Sequence, residues 1–100
     1  MIKAGGIWVS PAEVEAAIIE RPEVALAAVV GAPDDDGLEK PKAFVILEAG
    51  HEPSDELVAT IQEHVRTTLA PFKYPRWVTF VDELPLTATG KVKRYLLRES

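Results

Sequence analysis

The spacing of apolar residues changes several times along the chain, and each change predicts an element. From Ile2 to Val9 (IKAGGIWV), apolar and partly β-branched residues flank the pair Gly5-Gly6, which predicts a tight turn between two short strands. Ser10-Pro11-Ala12-Glu13 then reads as a helix start: Ser10 as N-cap, Pro11 at the first helical position, and Glu13 completing a capping box. Val14, Ala17 and Ile18 share one face of the helix, and Pro22 stops it near residue 21. Val24–Val30 is a continuous apolar run ending at Gly31 and predicts a buried strand. Ala32-Pro33-Asp34-Asp35-Asp36-Gly37 is a turn. Lys42–Glu48 (KAFVILE) predicts a second strand, closed by Gly50.

Ser54 is the expected cap of a second helix, with Asp55 and Glu56 suited to its positive end. Leu57, Ile61, Val65 and Leu69 recur on one face of it, and Pro71 ends the segment. Trp77–Val81 predicts a third strand and Val92–Arg98 a short terminal helix. The order is hairpin, helix, strand, strand, helix, strand, loop, helix. That is an α+β layout: a small sheet of about three main strands flanked by helices, plus a short N-terminal β-hairpin. No internal repeat, low-complexity tract or linker interrupts it.

At 100 residues the chain fits one small domain, and 47% hydrophobic residues is too many for a disordered tail. The longest apolar run, Val24 to Val30, falls far short of a membrane span, and no charged-then-apolar N-terminus marks a secretory signal. With no cysteine there is no disulfide framework, thiolate zinc site or cysteine nucleophile, in keeping with a cytoplasmic setting. The net charge of −5 argues against a general nucleic-acid binder. Its distribution is uneven. Residues 1–70 hold five Lys/Arg against thirteen Asp/Glu, whereas residues 71–100 hold six against three. A local positive region implies a local anion.

That region contains the loop Pro85-Leu86-Thr87-Ala88-Thr89-Gly90-Lys91. Helix N-termini carry partial positive charge and favour acidic residues. Here Lys91, Lys93 and Arg94 stand at the start of the expected terminal helix instead. An anion held by helix amides, the Thr87 or Thr89 hydroxyls and a lysine reconciles the two, with Gly90 permitting close backbone approach. Solvated charges around an ordinary surface turn account for the same residues. A Walker-type phosphate loop does not match, since Pro85 stands at the first glycine position and Val92 follows the lysine.

Three segments point further: Lys3-Ala4-Gly5-Gly6-Ile7-Trp8-Val9-Ser10-Pro11-Ala12-Glu13-Val14-Glu15, Phe72-Lys73-Tyr74-Pro75-Arg76, and Leu84-Pro85-Leu86-Thr87-Ala88-Thr89-Gly90-Lys91-Val92-Lys93-Arg94. In this order and spacing they resemble the C-terminal domain of the adenylate-forming enzymes, which include acyl- and aryl-CoA synthetases, peptide-synthetase adenylation domains and firefly luciferase. The resemblance covers essentially the whole chain. Gly5–Pro11 and Gly37-Leu38-Glu39-Lys40-Pro41-Lys42-Ala43-Phe44 look most like benzoate-CoA ligases.

The resemblance implies a two-step reaction. A carboxylate attacks the α-phosphate of ATP, giving an acyl-adenylate and pyrophosphate; the thiol of CoA then gives a thioester and AMP. A larger N-terminal domain, expected upstream, binds ATP, magnesium and the aromatic or other carboxylic acid. The small domain, residues 1–100, acts as a lid that rotates between the steps. Lys91 matches the lysine of the adenylation step, with Thr89 and Gly90 in its ATP-site loop. A flexible ammonium can contact both the incoming carboxylate and the α-phosphate where charge converges. Gly5 and Gly6 match the hairpin along which the pantetheine arm passes, and Trp8 is either a lining residue of that tunnel or a core aromatic. Phe72, Lys73 and Arg76 match the region that contacts the CoA nucleotide, an aromatic face with two cations.

Other features carry less chemistry. His51 lies in a turn and His64 beside an apolar stripe, and neither has a partner cluster in the sequence. Asp34-Asp35-Asp36 reads as a solvated turn, and no metal ligands are expected on this domain. The abrupt start at Met1 suggests a domain boundary, with the family's hinge just upstream and an isolated domain without ligase activity. Two other ligase readings are a medium-chain acyl-CoA synthetase and a peptide-synthetase adenylation domain. A non-enzymatic reading is a small module binding a nucleotide or an acidic partner. Pro85, Gly90 and Lys91 also resemble the family's reversible acetylation sites, which would make a lysine acetyltransferase and deacetylase partners.

Overall fold

A computed structural model describes residues 2–4, 7–69 and 73–84, with side chains from residue 9 onward. Two short strands, β1 (Ile2–Ala4) and β2 (Ile7–Val9), pair antiparallel, with Lys3 opposite Trp8. They lead into helix α1 (Pro11–Ile19), whose buried face is Val14, Ala17 and Ile18, the three residues the periodicity selects. Strand β3 (Val24–Pro33) and strand β4 (Glu39–Leu47) form an antiparallel hairpin. Helix α2 (Asp55–Thr68) crosses to strand β5 (Trp77–Phe80), which pairs parallel with β4. The main sheet is therefore mixed, in the order β3-β4-β5 with β4 central. This is the α+β architecture expected. A parallel pair cannot be joined by a tight turn, and α2 supplies the long crossover it needs.

The sheet has two apolar faces. On one, Ala27 and Val29 of β3 and Ala43 and Val45 of β4 pack under Ile18 of α1 and Ile61 and Val65 of α2. On the other, Ala28, Val30 and Phe44 pack with Leu84. Burial on both faces explains why Val24–Val30 and Ala43–Val45 read as continuous apolar runs rather than as alternation. Leu57 and Leu69 complete the α2 stripe at the edge of the core. No described helix is long and apolar enough to cross a membrane.

The structure corrects several boundaries. β3 runs past Gly31 to Pro33, because Gly31 pairs with Pro41 and the ladder continues to Pro33 opposite Glu39. The Glu39 side chain lies across Gly31, where an added Cβ would come within 2.6 Å of its Cδ. Glycine thus permits a close approach here and does not end the strand. Accordingly β4 begins at Glu39, not Lys42. The turn shrinks to Asp34–Leu38, closed by bonds from Asp34 N–H to Leu38 O and from Gly37 N–H to Asp34 O, both 2.9 Å. Gly37 has φ 78°, the left-handed residue such a turn requires.

The two helix starts differ. Ser54 caps α2 as expected, its Oγ accepting from Leu57 N–H at 3.0 Å. Ser10 occupies the N-cap position of α1 with extended backbone but makes no side-chain cap bond, so the expected capping box does not form. The terminal helix expected at Val92–Arg98 lies outside the described residues.

Two carboxylates show how short connections are fixed. Arg21 donates through Nε and Nη2 to Glu23 at 3.1 and 2.9 Å across Pro22, and this bonding holds the Glu23 carboxyl below its ordinary value of 4.5. Glu15 of α1 accepts the Val29 N–H of β3 at 2.7 Å. That amide lies on the outer side of β3, since β4 occupies the other side.

Candidate functional site

The described candidate site is the segment Lys73–Arg76, which enters β5 from the end of the sheet where β4 begins. Three hydrogen bonds fix its backbone, and two side-chain placements add to them. Pro75 is fully buried, and Arg76 N–H donates to Pro41 O at 2.8 Å. Gln62 of α2 donates through Nε2 to Pro75 O at 3.0 Å and to Arg76 O at 3.3 Å. The Arg66 guanidinium stacks on the Tyr74 ring, 4.5 Å from its centroid. A cation over a ring face is worth about 0.5–1 kcal/mol at an exposed site.

This anchoring leaves the two expected cations in different states. Arg76 is exposed. Lys73 instead donates to Glu13 Oε1 at 2.8 Å, tying the segment to the first turn of α1. The Glu13 carboxylate is therefore engaged by Lys73 instead of turning back to the Ser10 N–H as a capping box would. Nearby, Asp34 Oδ1 accepts from Asp36 N–H at 2.9 Å and Leu38 N–H at 3.0 Å, while Lys40 Nζ stands 3.9 Å from Oδ2. Burial pushes the Asp34 carboxyl up, but those two N–H groups, with Lys40 and Arg76 behind them, outweigh it and leave the group below its ordinary 3.8.

Of the other expected site residues, Gly5, Gly6, Phe72, Thr89, Gly90 and Lys91 lie outside the described residues. Trp8 is placed by its backbone in β2 opposite Lys3. Lys73 and Arg76 stand three residues apart on one short segment, with Lys73 paired to Glu13 and Arg76 exposed. Sequence reasoning did not find Glu13 or Gln62 as their supports. Gln62 stands beside Ile61 in the apolar stripe of α2, a polar residue at the margin of a buried face, and that was its only signal. His64 pairs with Glu20 at 3.0 Å and joins α2 to α1, a structural role. His51 lines a cleft of about 290 Å³ with Glu48, Phe80 and Asp82, at the opposite ends of β4 and β5 from Arg76. Among the described residues, no group of three or more His, Asp or Glu side chains is placed to hold a metal ion.

Residues 13–91 match the family model described as the AMP-binding enzyme C-terminal domain. The chain belongs to this family. Its AMP-binding C-terminal domain is 52% identical over 100 residues to benzoate–CoA ligase of Thauera aromatica, covering the whole of this chain and 19% of that protein. A human mitochondrial acyl-coenzyme A synthetase is 48% identical over 102 residues, with 99% of this chain and 18% of that one covered. Among solved structures, the anthranilate CoA ligase AuaEII in complex with anthranoyl-AMP superposes with a TM-score of 0.93 at 52% identity, over 99% of this chain and 19% of that one. The chain thus spans about a fifth of the length of the proteins it matches. These likenesses include the segments on which the resemblance was first drawn.

Proposed function

We propose that residues 1–100 are the C-terminal lid of a larger, AMP-forming acid–CoA ligase acting on an aromatic acid. The observation that carries this reading is the 52% identity to a benzoate–CoA ligase across the full chain, which fills only 19% of that relative. The missing four-fifths would be the N-terminal domain that receives ATP and the acid. A cytoplasmic setting is part of the same reading.

On this reading Lys91 acts in the first step. Attack of a carboxylate on the α-phosphate draws two anions together. An ammonium on a flexible stem orients both and offsets the charge that gathers between them. No general base is needed, because the acid is already ionised near pH 7. Thr89 and Gly90 shape the loop that carries the lysine. Gly5, Gly6 and Trp8 serve the second step along the pantetheine arm, while Phe72, Lys73 and Arg76 meet the nucleotide of CoA. The anchored Lys73–Arg76 turn supports the last assignment, since it projects a guanidinium from a fixed backbone. Magnesium would accompany ATP, and no group of three or more His, Asp or Glu among the described residues is placed to hold it. Acetylation of Lys91 by an acetyltransferase would remove the charge the first step uses, and a deacetylase would restore it.

The test uses the full-length protein. Lys91→Ala is expected to slow adenylate formation by at least about a hundredfold while supplied acyl-adenylate is still converted with CoA. Equal survival of both half-reactions would refute the assignment. The 48% identity over 99 residues to a 4-hydroxybutyrate–CoA ligase of Metallosphaera sedula favours a second reading, an alkanoic rather than an aromatic acid. A panel of benzoates and medium-chain fatty acids separates the two by kcat/KM.

A further inference from the structure

Helix α1 carries a capping-box sequence that the structure does not use. In that motif the Ser10 side chain would accept from the N–H of residue 13, and Glu13 would reach back to the Ser10 N–H. Neither bond is made: Ser10 has no side-chain cap bond, and Glu13 Oε1 accepts from Lys73 Nζ at 2.8 Å. Where a strong local signal is overridden by a contact 60 residues away, function is a common reason.

The pair is also built to open. Its side chains keep 21% (Lys73) and 38% (Glu13) of their exposure, so solvent reaches both. A part-buried ion pair that solvent still reaches is held less firmly than a fully desolvated one. A phosphate offers more negative charge and several acceptor oxygens, so it outcompetes a single carboxylate for the same ammonium. Arg76, exposed and three residues further on, stands ready as a second cation on a backbone already fixed by Gln62 and Pro41. When Lys73 leaves, Glu13 is at the helix position from which it can close the capping box, so its carboxylate keeps a hydrogen-bonded alternative.

We propose that Glu13 is a resident counter-anion that holds Lys73 in reserve and yields it to the phosphates of a nucleotide-bearing thiol. This inference rests on the ligase reading above and adds a residue that controls discrimination between thiols. Glu13 acts only through Lys73, so its effect must vanish when Lys73 is gone.

Glu13→Gln isolates the charge, because glutamine serves a capping box as well as glutamate. In the full-length protein, KM is measured for CoA and for pantetheine, which lacks the nucleotide and its phosphates, with acyl-adenylate supplied. Glu13→Gln is expected to lower the ratio of KM for CoA to KM for pantetheine about threefold, the scale of an ion pair within reach of solvent. In a Lys73→Met background the same substitution is expected to leave that ratio where Lys73→Met alone puts it. A ligase in which Glu13→Gln raises the ratio, leaves it unchanged, or still lowers it without Lys73 overturns the inference alone. A full-length protein that forms no thioester with either thiol overturns the ligase reading and this inference with it.

Discussion

Asp34 organises its own turn. One carboxylate oxygen accepts two backbone N–H groups, from Asp36 and Leu38, which ties the hairpin tip to this side chain. Because these bonds favour the ionised form, the folded chain gives up the Asp34 proton more readily than the unfolded chain does. The group therefore contributes stability above its ordinary pKa, and that contribution is lost as pH falls through the lower, folded value. An NMR titration of the Asp34 side-chain carboxyl should show a midpoint below 3.8, and Asp34→Asn should flatten the acid limb of the stability profile. A midpoint at or above 3.8 would contradict the account. Glu23 is shifted in the same direction by Arg21 and adds to the same acid sensitivity.

At the scale of elements, α2 is the strut of the fold. Its buried residues Ile61 and Val65 close the helix-covered face of the sheet, and Gln62 beside them fixes the turn that bears Lys73 and Arg76. Truncating Ile61 removes a fully buried side chain from between α2 and the sheet. Ile61→Ala is expected to cost about 3 kcal/mol in a denaturant titration. A loss under about 1 kcal/mol would show that the site collapses around the gap. This stripe was legible in the sequence because helical period is a local property, and so was the cap at Ser54. The parallel partnership of β4 with β5 was not, since pairing across a long crossover leaves no local trace. Gly31 misled for a physical reason: it marks a close approach by Glu39 within a strand, yet reads as punctuation. Glu13 misled because its local pattern was intact and only a distant lysine changed its use. The roles proposed for Lys91 and the Gly5-Gly6 pair rest on resemblance to a family, since local physics alone left them open.

At the scale of the whole molecule, the proposed ligase divides its work between two ends of one small chain. On that reading Lys91 serves adenylation, and Gly5 and Gly6 serve thioester formation. Interference at one end should then leave the other step intact. Gly6→Leu in the full-length protein is expected to slow conversion of supplied adenylate with CoA by roughly a hundredfold, through obstruction of the thiol's path, and to spare adenylate formation. Pyrophosphate release and thioester appearance, followed separately, give the two rates. Loss of adenylation alone would reverse the assignment.

The bond from Val29 N–H to Glu15 acquires a different meaning under the proposed ligase reading, in which this domain would travel. Strand flanks with open amides invite stray chains to add on, and a lid that undocked at every turnover would bare its flanks each time. A carboxylate already seated on that amide denies newcomers a foothold, so the proposed lid would cycle through crowded solvent without becoming adhesive.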